Sequence, residues 1–234
     1  MKRLAELLLL VVICSLIYSR LSVPKSKPSP TPAATPSTAA AGVSSADPIP
    51  PPPGVELCDC PHSYDNAQAQ KLFYRHLEEE GPQARLTLNK AIQLEPANAA
   101  GHFHLSTLLD RPGSRGVAIE EATRALECQP GFAQAWNQRA WLRAQSTDPP
   151  DWELGLIDVR HALGLSQDTD FFDTRGVLLL RLGRPREALY DVERAVREGS
   201  SRIHLEHRAQ VYQALGRHQE AEQDRQQALK SPKT

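Results

Sequence analysis

An all-α solenoid built from about five stacked helix-turn-helix units is the fold class this sequence predicts, and three observations carry it. Pairs of small residues seven apart recur along the chain: Ala84 and Ala91, Ala118 and Ala125, Gly155 and Ala162, Ala188 and Ala195, Ala221 and Ala228. Successive pairs are 34, 37, 33 and 33 residues apart, a period that belongs to stacked-helix repeats. Glycine and proline break each helical pattern near the middle of its period, at Gly81-Pro82, Pro112-Gly113, Gly183-Arg184-Pro185 and Gly216, as residues that end one helix and start the next. An architecture of this kind offers a surface for binding rather than a site for catalysis.

The first element, residues 1–23, is apolar. Lys2 and Arg3 precede a run from Leu7 to Tyr18 whose weakly polar members are Cys14 and Ser15. That length suits the core of a signal peptide, whereas Leu4 to Val23, with Glu6 and Arg20 reaching toward the interface, supplies about 30 Å of helix, enough for a span. Cleavage after Ser19 would place the bulky Ile17 where a small residue is preferred, which favours retention. Signal anchor and cleaved signal peptide both stand as readings. Arg20, Lys25 and Lys27 rival Lys2 and Arg3, but the short amino-terminal tail favours a solenoid on the extracytoplasmic side; a cleaved chain would be periplasmic or secreted. Cys14 follows Ile13, where a lipidation motif requires a small residue, so lipid attachment is not expected.

Residues 24–64 read as a disordered linker. The stretch 24–54 holds ten of the nineteen prolines, with Ser, Thr and Ala between them, and too little apolar surface to offset the cost of ordering. It would reach roughly 90 Å as polyproline and about 30 Å as flexible coil. The linker ends in Cys58-Asp59-Cys60-Pro61-His62. Three ligand-type side chains so close together raise a metal or redox function, but a closed zinc site needs a fourth ligand and wider cysteine spacing, and a Cys58–Cys60 disulfide would be strained. A loop before the first helix is the simpler reading. No cofactor is expected.

From residue 65 to 234 the pattern is helical, in copies at about 65–98, 99–132, 133–168, 169–201 and 202–234. Small side chains two helical turns apart line one face and admit a close neighbour. Pro96 and Pro130, 34 apart, close the second helices of the first two copies. Cys128, at such a helix end, reads as a small buried thiol. The polar run Glu222 to Gln227 reads as the solvated cap that a solenoid's last helix needs. This region carries 22 Lys and Arg against 24 Asp and Glu, which excludes the basic face that nucleic acid would require.

In these residues the chain resembles the tetratricopeptide repeat family. An aromatic and a small residue four later open the first helix in Trp136 with Ala140 and Phe172 with Gly176; Gly183 and Gly216 fit the turn, Tyr212 a bulky position after Ala209, and Pro96 and Pro130 the closing position. The first copy has Gln68 at the aromatic position, and the third carries an insertion at Ser146 to Asp151 with Gly155 for the first Ala. The resemblance implies a right-handed solenoid that is non-enzymatic and binds a protein or peptide in a concave groove lined by the first helices. By register that groove takes Phe73, Phe103, Thr107, Asn137, Trp141, Asp173, Val177, Glu206 and Gln210. The chaperone-tail clamp known in some members needs Lys, Arg and Asn in the groove. Here only Asn137 and the flanking Arg139 and Arg143 are present, so that subtype is not expected.

Other chemistry is sparse. His102 and His104 point to different sides of a helix. His204 and His207 share a side but have no acidic or thiol residue beside them in sequence, so a solvated face is expected. Glu78-Glu79-Glu80 reads as a charged helix end. No nucleophile elbow, phosphate-binding glycine loop or His-Glu-x-x-His is present. The reading is a scaffold at the cell envelope, with membrane contact through its first helix and an oligomeric state that the sequence leaves open.

Overall fold

Four of the five first helices start where a short polar side chain caps them. In the computed structural model, which describes residues 66–147 and 149–231, Asn66 accepts from the amides of Gln68 and Ala69, Asn98 from Gly101, Asp168 from Asp170 and Ser201 from His204. In the third copy Phe132 stands at that position and makes no side-chain cap. Among the described residues there are ten helices and no strand: α1 (Ala67–Leu77), α2 (Gly81–Leu94), α3 (Ala99–Leu108), α4 (Arg115–Cys128), α5 (Ala133–Ala144), α6 (Pro149–Leu165), α7 (Thr169–Arg181), α8 (Pro185–Glu198), α9 (Arg202–Ala214) and α10 (His218–Lys230). Odd-numbered helices are the first of each pair.

The turns have the chemistry that the sequence announces. Gly183 and Gly216 sit at φ of 71° and 75°, a region that a Cβ disfavours. There the amides of Arg184 and Arg217 close back onto the carbonyls of Leu179 and Tyr212, each at 2.9 Å. The second helices α2 and α4 end two residues before Pro96 and Pro130, as expected.

Packing explains the small residues. All five pairs on the second helices are buried. At Gly155 a Cβ would stand 2.9 Å from Leu178 Cδ2 and 3.2 Å from the Ala140 carbonyl oxygen, so the backbone of α5 approaches too closely for the alanine found in other copies. At Gly176 it would stand 2.6 Å from Val192 Cγ1. Gly176→Ala is therefore expected to cost roughly 1–3 kcal/mol, seen as a lower urea midpoint, with part of the loss restored by adding Val192→Ala. A single variant as stable as the parent would show that α7 and α8 can separate freely.

Successive first helices α3, α5, α7 and α9 touch one another, whereas among the described residues no comparable contact joins successive second helices. The first helices form the inner, more closely spaced layer, and their free side is the concave face. One buried cluster unites the first two copies with Phe132, Ala135 and Leu142 of the third; a second joins the third and fourth with Val211 of α9. Trp136 packs against both, which makes α5 the joint between them.

One expectation is corrected. Cys128 is exposed and free, because it is the last residue of α4 and the chain turns away to the next copy. Partial burial and the neighbouring Glu127 carboxylate push its thiol up, away from reactive thiolate. The final helix α10 is polar over most of its surface, burying Ala221, Asp224 and Ala228. Among the described residues no helix is long and apolar enough to cross a membrane. The apolar run 1–23, the linker and Cys58, Cys60 and His62 lie outside the described residues.

Candidate functional site: the groove of the first helices

The inner face between α5, α7 and α9 holds a cavity of about 420 Å³. Asn137, Gln138 and Trp141 supply one wall, Asp170, Asp173 and Thr174 the middle, and Ser201, Ile203, His204 and His207 the other. Each wall comes from one repeat, so three copies must stack before the cavity exists.

Of the nine groove positions assigned by register, the structure brings three together here: Asn137, Trp141 and Asp173. Phe73 is fully buried, its ring against His76 at 4.8 Å and His104 at 5.0 Å; it fills the core of the first copies and presents no surface. Val177 is buried in the second cluster. Phe103 is half-buried against Phe132, ring centroids 5.0 Å apart. The Thr107 hydroxyl donates to the His104 carbonyl at 2.8 Å within its own helix. Glu206 accepts from Arg202 Nε at 2.7 Å, and Gln210 is exposed.

The two histidines read as a solvated face are in fact partnered, and this is the largest departure from expectation. His204 is buried. Its Nδ1 faces the Gly199 carbonyl and its Nε2 meets Asp170 Oδ1 at 3.0 Å. Burial alone would lower its pKa, but the Asp170 hydrogen bond, the charge of Asp173 and the Gly199 carbonyl outweigh that and hold it above the ordinary imidazole value. An acceptor at each ring nitrogen is what the imidazolium requires. Asp170 is lowered in turn, chiefly by the bond from His204, although its side chain is largely exposed. His207 Nδ1 lies 2.6 Å from Asp173 Oδ2, and its ring tilts against Trp141 at 5.7 Å. Both carboxylates come from α7, 34 residues before their histidines. A search one repeat period upstream of each histidine would have found them.

Two polar atoms in the cavity wall are left over. Asp173 Oδ1 and Asn137 Oδ1 are buried without a hydrogen-bond partner, and Asp173 as a whole is only 5% exposed. A second cavity, of about 530 Å³ at the turn from Gly183 to Glu187, differs in this respect, because Arg184 and Glu187 there satisfy each other at 2.6 and 2.7 Å.

A recurring ion pair ties first helix to second and was not read from the sequence. Arg139, Arg175 and Arg208 each fork onto Asp158, Asp191 and Asp224, at 2.6 to 2.9 Å. In the second copy His102 meets Glu121 at 2.7 Å. The acid stands three residues after the first small residue of its pair in each of these four copies, and that spacing was the available signal. Arg143 also meets Asp158, so Arg139 and Arg143 are both committed to structure. Among the described residues no group of three or more His, Cys, Asp or Glu is placed to hold a metal.

The chain is similar to tetratricopeptide repeat protein 36 of Homo sapiens, 34% identical over 131 residues that cover 54% of this chain and 62% of that one. The Bos taurus protein of the same name is 34% identical over 124 residues, covering 51% and 59%. The chain thus spans less than two thirds of the length of these relatives. No protein-family model matches it. Among solved structures, TTC0263, a tetratricopeptide repeat protein of Thermus thermophilus, has a TM-score of 0.63 at 16% identity, covering 70% of this chain and 91% of that one. MamA from Desulfovibrio magneticus has a TM-score of 0.57 at 13% identity, covering 69% and 92%. At such identities the likeness is one of fold.

Proposed function

We propose that this chain, similar to tetratricopeptide repeat proteins in sequence and in fold, is a non-catalytic scaffold that binds a protein or peptide along the inner face of α5, α7 and α9. The observation that carries the reading is the cavity in which Trp141, Asn137 and Asp173 converge from successive helices. An aromatic wall beside unpaired hydrogen-bonding atoms is the combination that anchors a partner's side chain. The recurring pairs of arginine with Asp158, Asp191 and Asp224 hold first helix to second.

The N-terminal run sets the location in this reading. Residues 1–23 tether the chain to a membrane at the cell envelope, or export it, and residues 24–64 give the solenoid reach on the extracytoplasmic side. The support is the apolar stretch Leu7 to Tyr18 followed by ten prolines in 24–54.

Capture from detergent-solubilised membranes, with the full chain as bait, tests the groove. The parent is expected to retain a partner that Trp141→Ala loses, while the variant's unfolding midpoint stays within a few degrees, since Trp141 is only half-buried. Equal capture by a folded Trp141→Ala chain would move function away from the groove.

A further inference from the structure

Resting on that peptide-binding reading, we infer that the groove takes an arginine side chain of the bound polypeptide. Asp173 is 5% exposed; its Oδ2 is held by His207 Nδ1 at 2.6 Å, while its Oδ1 has no partner. Asn137 Oδ1, on the facing helix, has none either. Both residues line the same cavity. Two orphaned acceptors, one of them on a carboxylate, are a standing cost that a donor removes.

The donor's shape follows from the α5 wall. Trp141 lines the same cavity, and an indole face attracts a cation. A guanidinium is flat and weakly hydrated, and it carries five N–H groups in a fork, so it stacks on an aromatic ring while donating to two oxygens at once. An ammonium lacks the plane. An anionic side chain would bring further acceptors to a wall that already has two unpaired, with Asp170 beside them. The histidines do not reverse this charge preference. His204 is occupied at both ring nitrogens, by Gly199 and Asp170, and His207 Nδ1 is spent on Asp173.

The test selects from a random short-peptide library on the immobilised full-length chain, retaining peptides that Trp141→Ala fails to bind. Arginine is expected to be enriched among them. Replacing that arginine by citrulline, which keeps the shape and removes the charge, should weaken binding to the unmodified chain about tenfold or more. Asp173→Asn should weaken the arginine peptide by a similar factor and leave the citrulline peptide unchanged. Selected peptides without arginine, or citrulline forms that bind as well as their parents, would overturn the inference while leaving a peptide-binding groove in place. Selection of no Trp141-dependent peptide would overturn both. The citrulline comparison needs no protein variant, so it decides even if Asp173→Asn proves unstable.

Discussion

Asp158→Ala is expected to destabilise the solenoid by about 3–5 kcal/mol, the scale for removing one side of a buried ion pair. Asp158 is 2% exposed and accepts from Arg139 Nε and Nη2 at 2.9 and 2.8 Å and from Arg143. The arginine side chains are 13% and 16% exposed. Alanine would leave two guanidiniums, already stripped of most of their water, without the carboxylate that pairs them. The damage falls at α5 and α6, the joint between the two buried clusters, and in a nearest-neighbour array a weak joint lowers the stability of everything it links. Urea unfolding followed by hydrogen exchange at α5 and α6 measures it. Two companions sharpen the result. Replacing Asp158, Arg139 and Arg143 together by Leu, Met and Met should recover most of the loss, because it removes the charges with their partner. Glu187→Ala, which breaks the exposed pair with Arg184, should leave the urea midpoint close to that of the parent. If Asp158→Ala unfolds like Glu187→Ala, the recurring pairs are solvated and contribute little to joining the helices.

How far the sequence could be read depended on how far apart the interacting residues lie. The helix pairs were legible because their signal is local. Gly183 and Gly216 mark a turn by backbone conformation alone, and Ala188 with Ala195 marks a close-packed face by spacing alone. The groove was legible only in part. Asn137 and Trp141 are four apart on one helix, so register alone put them on one side. Asp173, from the next copy, followed from the same register. What register does not reveal is which groove-side residues the neighbouring helix then covers. Val177 is covered by its own cluster and Thr107 is not, although both were assigned to the same face. The acid–histidine pairs were missed because each side chain was weighed among its near neighbours in sequence, and His204 and His207 find their carboxylates 34 residues earlier. Similarly, Asp158, Asp191 and Asp224 look like solvated helix residues until the small residue three before each is seen to press that face against an arginine.

Phe73→Ala is the second large effect, expected at about 3–5 kcal/mol, and it separates the core from the groove. Register assigns Phe73 to the partner-binding face, yet the ring is fully buried, edge-on to Tyr74 at 5.9 Å, His76 at 4.8 Å and His104 at 5.0 Å. Truncation would open a cavity between α1 and α3 that the surrounding aromatic rings are too rigid to refill. Because each copy of a solenoid contacts only its neighbours, protection from hydrogen exchange should fall at α1 to α3 and persist at α7 to α10. Capture of a partner at the cavity of α5, α7 and α9 should survive wherever those helices stay folded. Phe73→Leu, which keeps most of the apolar volume, should lose substantially less stability. The opposite pattern, unchanged unfolding with loss of partner capture, would return Phe73 to the groove and show that α1 exposes this face when a ligand arrives.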